Sequence, residues 1–353
     1  MAEKINGRVA YADLLRVFAT LAVIVLHLAA NPVSSLSVTT QAWQIANLYD
    51  GLVRWCVPVF VMLSGMFMLD PKRPLPLSKL LFHNCLRILT ALFFWTWVYA
   101  FVDNGVYSPA GLWSAALQTL QMGEYHFHLW FLYMILGLYL VTPILRAFCK
   151  GASRNDFHYF FLIAFLFASL LPTAFSLWPN ATRFFHIWYD RLSIRLVLGY
   201  VGLYVAGYYL KEYTISRLAE AVIYVLGVLG AVATVWGTSL LSRQAGRFVQ
   251  PLYEYTSPNV VCFAVAIVVL FRYVLGVSEE RSRRQRLSGV AKITFGIYLV
   301  HELFILLLRF FGVTPLSFSI VASIPVLTAV VFLCSFAVAW LISKIPVLGH
   351  FLT

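Results

Sequence analysis

Charged residues are scarce in this chain. They make up 11% of its 353 residues, where a soluble domain carries about 25%. That shortage excludes a water-soluble fold, and no polar stretch is long enough to fold as a separate soluble catalytic domain. Cysteine is sparse too: Cys56, Cys85, Cys149, Cys262 and Cys334 each lie in or beside an apolar run, without metal-ligand spacing. A disulfide framework is excluded, and free, mostly buried thiols are expected. The chain lacks a Gly-rich phosphate loop and a Cys/His metal pattern, so no metal is expected. No small-residue cleavage site follows the first apolar stretch, which is therefore expected to stay as a helix. Nor is there a visible repeat or an inverted pair of broken helices, which argues against common secondary-transporter designs.

What is abundant is apolar sequence, 61% of the chain. A bilayer crossing needs about 20 apolar residues. Such runs lie near 10–30, 45–69, 80–102, 128–148, 157–177, 193–211, 218–240, 257–276, 290–310 and 318–343. The expected fold is an all-α polytopic membrane protein of about ten transmembrane helices, with residues 1–353 forming a single membrane-embedded domain. The longest outer loops are expected at 31–44, 103–127, 178–192 and 241–256. The net charge of +12 would suggest nucleic acid in a soluble protein. Here the basic residues have another use. Lys72, Arg73, Lys79, Arg146, Lys150, Arg272 and Lys344 fall on one set of helix flanks, and few fall on the other. That asymmetry places both termini in the cytoplasm, with membrane lipid as a partner and no nucleic acid. The run Arg281-Ser-Arg-Arg-Gln-Arg286 reads as an orientation signal beside anionic lipid.

The first run holds the most informative pair. Arg16 and His27 are eleven residues apart, close to three helical turns, so they share a face roughly 16 Å apart along the axis. Asp13 and Thr20 lie near the same stripe as structural support, and Asn31-Pro32 is expected to stop the helix. A cation and an imidazole inside a membrane usually face a cavity and mark function. Arg offers forked contacts to phosphate, and His exchanges protons near neutral pH. A long donor with an anionic end, such as a coenzyme A thioester, suits that spacing. The competing reading is that Asp13 merely neutralises Arg16 and His27 serves a helix interface.

The first helix resembles the signature of the acyltransferase-3 family of integral membrane acyltransferases: Arg, ten residues, then His. The second run, Val57-Pro-Val-Phe-Val-Met-Leu-Ser64-Gly65, is similar to the family's proline, aromatic, Ser-Gly segment. His128-Leu-Trp-Phe-Leu-Tyr133 with Tyr139-Leu-Val-Thr-Pro143 resembles its fourth-helix motif, and Ile293-Thr-Phe-Gly-Ile-Tyr298-Leu-Val-His301 its late motif. The resemblance is to the short form, without an appended extracellular domain, of the kind that O-acetylates enterobacterial common antigen. It implies acetyl transfer from cytosolic acetyl-CoA to a hydroxyl of an envelope glycan or lipid-linked sugar, in a bacterial inner membrane. His27 is then the general base and Arg16 a donor-binding residue. Many members carry two arginines at the start of the third helix. Here only Arg87 matches, although Lys79, His83 and Arg87 are spaced to share one face.

Other polar residues are candidate acceptor contacts. Arg54 either meets an anionic acceptor or holds a helix interface. Ser64 beside Gly65 more readily permits close packing than acts as a nucleophile. Glu124, His126, His128 and Trp130 form either an interfacial belt or a sugar-binding rim. In His301-Glu302 the acid needs a partner at mid-depth, for which Arg195, Lys292 and Tyr298 are candidates. Two outer clusters, Arg183 to Arg191 and Arg243, Arg247 and Glu254, read as wet loops with glycan contact as the alternative. The alternative function is a transporter or flippase of an anionic or lipid-linked sugar.

Overall fold

The computed structural model describes residues 9–104, 108–111, 113, 114, 117, 126–178, 199–276, 287–346 and 348–353. Among them there is no strand. Among the described residues the longer helices are α1 Ala10–Ser35, α2 Gln41–Met68, α3 Leu77–Val102, α4 Phe127–Gly151, α5 Arg154–Leu177, α6 Val201–Glu212, α7 Arg217–Ala245, α8 Pro258–Tyr273, α9 Thr294–Phe310 and α10 Ile320–Ser343. Seven are long and apolar enough to cross a membrane. The others, α6, α8 and α9, have 12, 16 and 17 residues. Short helices at Leu287–Lys292 and Leu348–Leu352 precede α9 and follow α10. Glu124, the cluster 183–191, Arg195 and the run 281–286 lie outside the described residues.

Proline shapes several helices by removing one N–H and crowding the carbonyl four residues back. Pro58 disturbs the carbonyl of Arg54, and α2 breaks there, between Gln41–Val53 and Cys56–Met68. Pro325 frees the carbonyl of Val321, which accepts from Tyr49 Oη at 2.9 Å. Pro32 does not stop α1, contrary to expectation; the helix continues to Ser35. The proline sits in the last turn, where a single bond is lost, and its own carbonyl accepts from the Leu36 amide at 3.0 Å. The expected outer loop at 31–44 therefore shrinks to the stretch between Ser35 and Gln41, and α7 runs on to Ala245 through part of the expected loop at 241–256.

Helix α1 occupies the middle of the bundle, packing on α2, α8, α9 and α10. Its Ala12, Leu15, Ala19, Ala22 and Val23 are buried. Helices α5 and α7 are the most peripheral of the long ones. The tightest crossing is α2 against α6, where side chains vanish from the contact. A Cβ added at Gly65 would fall 1.8 Å from the Tyr204 carbonyl oxygen, and one at Gly207 would fall 1.9 Å from that of Met62. Such small-residue crossings let membrane helices pack backbone to backbone.

The turn between α2 and α3 is tied down by Asp70. Its carboxylate accepts from Lys211 Nζ at 2.5 Å and the Lys72 amide at 2.9 Å, with Arg73 Nε at 3.6 Å. Burial alone would raise this carboxyl's pKa. The Lys211 hydrogen bond, the Lys72 amide and the Lys211 and Arg73 charges together outweigh it, and the net shift is downward.

Two predictions follow from these contacts. Gly65→Ala and Gly207→Ala should each lower the thermal midpoint of detergent-purified protein, at an overpacking cost of about 1–3 kcal/mol or more. Gly137→Ala, with nothing within 4 Å of the new methyl, should leave the midpoint in place. Because the folded Asp70 pKa is depressed, its contribution is full above the ordinary carboxylate value of about 3.9 and is lost as pH falls through the lower folded value. Asp70→Asn should melt earlier at neutral pH and show a smaller acid-induced drop.

Candidate active site

Arg16 and His27 both line one cavity of about 160 Å³. Its walls come from α1, α2, α3, α4 and α9, with Tyr255 reaching in from the segment before α8. Val57, Phe60 and Ser64 supply the α2 wall; His128, Trp130 and Tyr139 the α4 wall; Phe295 and Tyr298 the α9 wall. The three-turn spacing read from the sequence is thus a spacing along a single half-open cavity.

His27 is fixed by α9. Its Nδ1 lies 2.8 Å from His301 Nε2 and 3.4 Å from Glu302 Oε2. His301 Nδ1 is bonded to the Tyr298 carbonyl oxygen. A carbonyl only accepts, so His301 carries its proton on Nδ1, and in the neutral ring Nε2 is an acceptor. His27 must then donate from Nδ1, which leaves its Nε2 with the lone pair. A local main-chain contact in α9 thereby sets the tautomer of a ring on α1. Glu302, only 2% exposed, finds its neighbour in His27. Of the partners the sequence suggested for it, Lys292 is exposed on the helix before α9, and the Tyr298 hydroxyl donates to the His128 carbonyl oxygen.

His128 adds a second layer. Its Nδ1 is 2.8 Å from His126 Nδ1, and its ring centroid is 6.2 Å from that of His27 and 5.5 Å from that of His301. Its buried Nε2 has no hydrogen-bond partner among the described residues. Trp130 stacks on Tyr255 with centroids 5.7 Å apart. Ser64 Oγ is 3.5 Å from the Tyr139 hydroxyl and lies in the cavity wall.

Arg54 stands at the break in α2. It grips Asp50 with both Nε, at 2.8 Å, and Nη2, at 2.9 Å, and lies 4.3 Å from the centre of the Tyr253 ring. Asp50 is fully buried. The sequence reading passed over Asp50, although its i, i+4 spacing to Arg54 was visible. At the other end of the cavity Arg16 lies 4.0 Å from Asp13 and 5.8 Å from the centre of the Phe67 ring. Thr20 bonds the Arg16 main-chain carbonyl at 2.9 Å, so it supports the helix and leaves the guanidinium alone.

Lys79, His83 and Arg87 do not line the cavity. The stretch Leu80–Cys85 is π-helical, so residues four apart no longer stack as in an α-helix. Lys79 and His83 are exposed, with His83 beside the His350 ring at 4.7 Å. Arg87 turns to the Thr353 main-chain carbonyl and the Phe295 ring.

The donor atoms of His27, His301 and Glu302 lie within 4.8 Å of one another, a set that could gather a metal ion. The 2.8 Å contact between the two imidazoles is a hydrogen-bond length. Two nitrogens on a tetrahedral zinc at 2.0–2.1 Å would stand about 3.3 Å apart. As folded, the pair is built for a proton.

No curated protein and no solved structure matches the chain. A family model described as an acyltransferase domain matches residues 9–344. With that match over nearly the whole length, the chain belongs to the acyltransferase-3 family of integral membrane acyltransferases.

Proposed function

We propose that this membrane acyltransferase is an O-acetyltransferase of the bacterial inner membrane. It takes the acetyl group from cytosolic acetyl-CoA and passes it to a hydroxyl of a cell-envelope glycan or lipid-linked sugar. The observation that carries this reading is the shared cavity, with the Arg16 guanidinium and the oriented His27 imidazole both in its wall. Both termini, and hence the Arg16 end, face the cytoplasm in this proposal.

Arg16 binds the anionic part of the donor, and the thioester reaches inward along the α1 face. His27 Nε2 takes the proton from the acceptor hydroxyl as its oxygen attacks the thioester carbonyl. The new carbon–oxygen bond forms, the carbon–sulfur bond breaks, and the departing thiolate recovers the proton from His27. No net proton is released. While His27 is charged, Glu302 at 3.4 Å stabilises the imidazolium, and His301 keeps the ring from turning. His128, Trp130 and Tyr298 border the space left for the acceptor, and Arg54 stands behind Tyr255, 5.5 Å from its ring centre.

Positioned base catalysis is worth about 10² to 10⁴ in rate. His27→Ala should lose that factor in coenzyme A release, measured with a thiol reagent on purified protein that still elutes as a folded species, and its thermal midpoint should fall because the contact to His301 Nε2 is lost. His301→Ala should also slow turnover, and His301→Gln, whose amide oxygen can still accept from His27 Nδ1, should retain more. Full activity in His27→Ala would refute the assignment. Transport of a sugar would consume no thioester, and mass spectrometry of the glycan would then show no added acetyl group.

A further inference from the structure

His27 borders a second, smaller cavity of about 20 Å³, the space of one water-sized group. Arg16 has no part in it. Its wall includes Asn31 of α1, Arg309 of α9 and Thr314 of the α9–α10 turn. Asn31 follows His27 by one helical turn, and Arg309 follows Glu302 by two, roughly 6 Å and 10 Å along their axes. The faces of α1 and α9 that meet at the His27–His301 bond therefore run on, away from Arg16, to a polar lip. Asn31 and Arg309 are both exposed there.

Arg309 belongs to the set of helix flanks that carries few basic residues, so the need for an orientation signal does not account for it. Arg54 is bound to Asp50, and Lys211 to Asp70. The Arg309 guanidinium is different: among the described residues it makes no hydrogen bond or ion pair, and neither does the Asn31 side-chain amide. A guanidinium fork beside an amide N–H₂ group matches the oxygens of one anion. The facing turn is held in place. Ser317 Oγ accepts from the Thr314 amide at 2.8 Å, and Ser323 Oγ donates to the Pro315 carbonyl. The lip thus has one fixed wall, two donors with nothing bound to them, and the base behind it.

We propose that Arg309, with Asn31, binds an anionic group of the acyl acceptor, a carboxylate or a phosphate ester, at this lip. The hydroxyl to be acylated still goes to His27; the lip holds a charge elsewhere on the same acceptor. Because His27 and Arg309 border one cavity of this small size, the charge and the reacting hydroxyl sit on the same sugar unit or on adjoining ones. The acceptor is then an acidic glycan. This assignment rests on acyl transfer to a glycan hydroxyl, as proposed above.

The test gives the purified full-length chain radiolabelled acetyl-CoA and membranes from a strain that lacks the protein, which carry the native glycan. Coenzyme A binding is measured alongside by calorimetry. Arg309→Ala should lower kcat/KM for the membrane acceptor by about tenfold or more, the loss expected for one charge-assisted contact. It should leave coenzyme A affinity and KM for acetyl-CoA as in wild type, and Arg309→Lys should recover most of the loss. Tandem mass spectrometry of the labelled product should place the acetyl group on a sugar that bears or adjoins an anionic group, and tells carboxylate from phosphate. An acetyl group on a neutral stretch of glycan would overturn the anion site while leaving the acyltransfer reading in place. So would wild-type kcat/KM in Arg309→Ala, or a loss matched by an equal loss of coenzyme A affinity. If the wild-type protein moves no acetyl group to the membranes, the reading fails and the anion site falls with it.

Discussion

The hydrogen bond between His27 and His301 joins two helices whose residues are 274 positions apart in the chain. It is short, buried, and ends on a main-chain carbonyl that cannot change its role. In a low-dielectric interior an unpaired imidazole is costly, and a paired one is held hard. The fold around it serves this constraint. Helix α1 lies at the centre of the bundle so that one face can meet α9 while the same face borders a cavity. Without α9, the ring on α1 would have no defined tautomer.

The buried acids Asp50 and Asp70 are each matched by a cation close by. Asp50 and Arg54 pair across one turn at the break in α2, with tyrosine rings covering the guanidinium. Such a pair is dear to bury and dearer to break, since removing one partner leaves a bare charge inside. Asp70 plays a comparable part at the other end, binding α6 to the α2–α3 turn. The cavity wall is mainly aromatic and aliphatic, and beside Arg16 and His27 its polar interruptions include Ser64, His128, Tyr139, Tyr255, Thr294 and Tyr298. A long ligand with polar ends and a flexible middle meets the matching chemistry along that path.

How much of this could be read from the sequence depends on the range of the contact. The apolar runs mark the helices because lipid leaves no other way to satisfy the backbone. The Arg16 to His27 spacing was legible because three helical turns is local geometry. Pro32 misled because the rule that proline ends a helix weakens in the last turn, where little remains to be lost. Lys79, His83 and Arg87 do not share one face as their spacing suggested, because the π-helical stretch changes the number of residues per turn. The partnership of His27 with His301 and Glu302 is tertiary, and nothing local announces it. Asp50 was legible and passed over; its spacing to Arg54 carries the same information as that of Asp13 to Arg16. The second cavity beside His27 could be seen only once α1, α9 and the α9–α10 turn stood together.

The crossing of Gly65 and Gly207 bears on how such an enzyme could be retuned. Where two backbones touch, there is no side chain to exchange for a larger or smaller one, and any added methyl strikes a carbonyl. The α2 backbone is therefore fixed against α6, while its cavity-facing side chains Val57, Phe60, Leu63 and Ser64 stand apart from the crossing. Helix α2 is thus held from behind the cavity, by a crossing that adds nothing to the cavity lining itself.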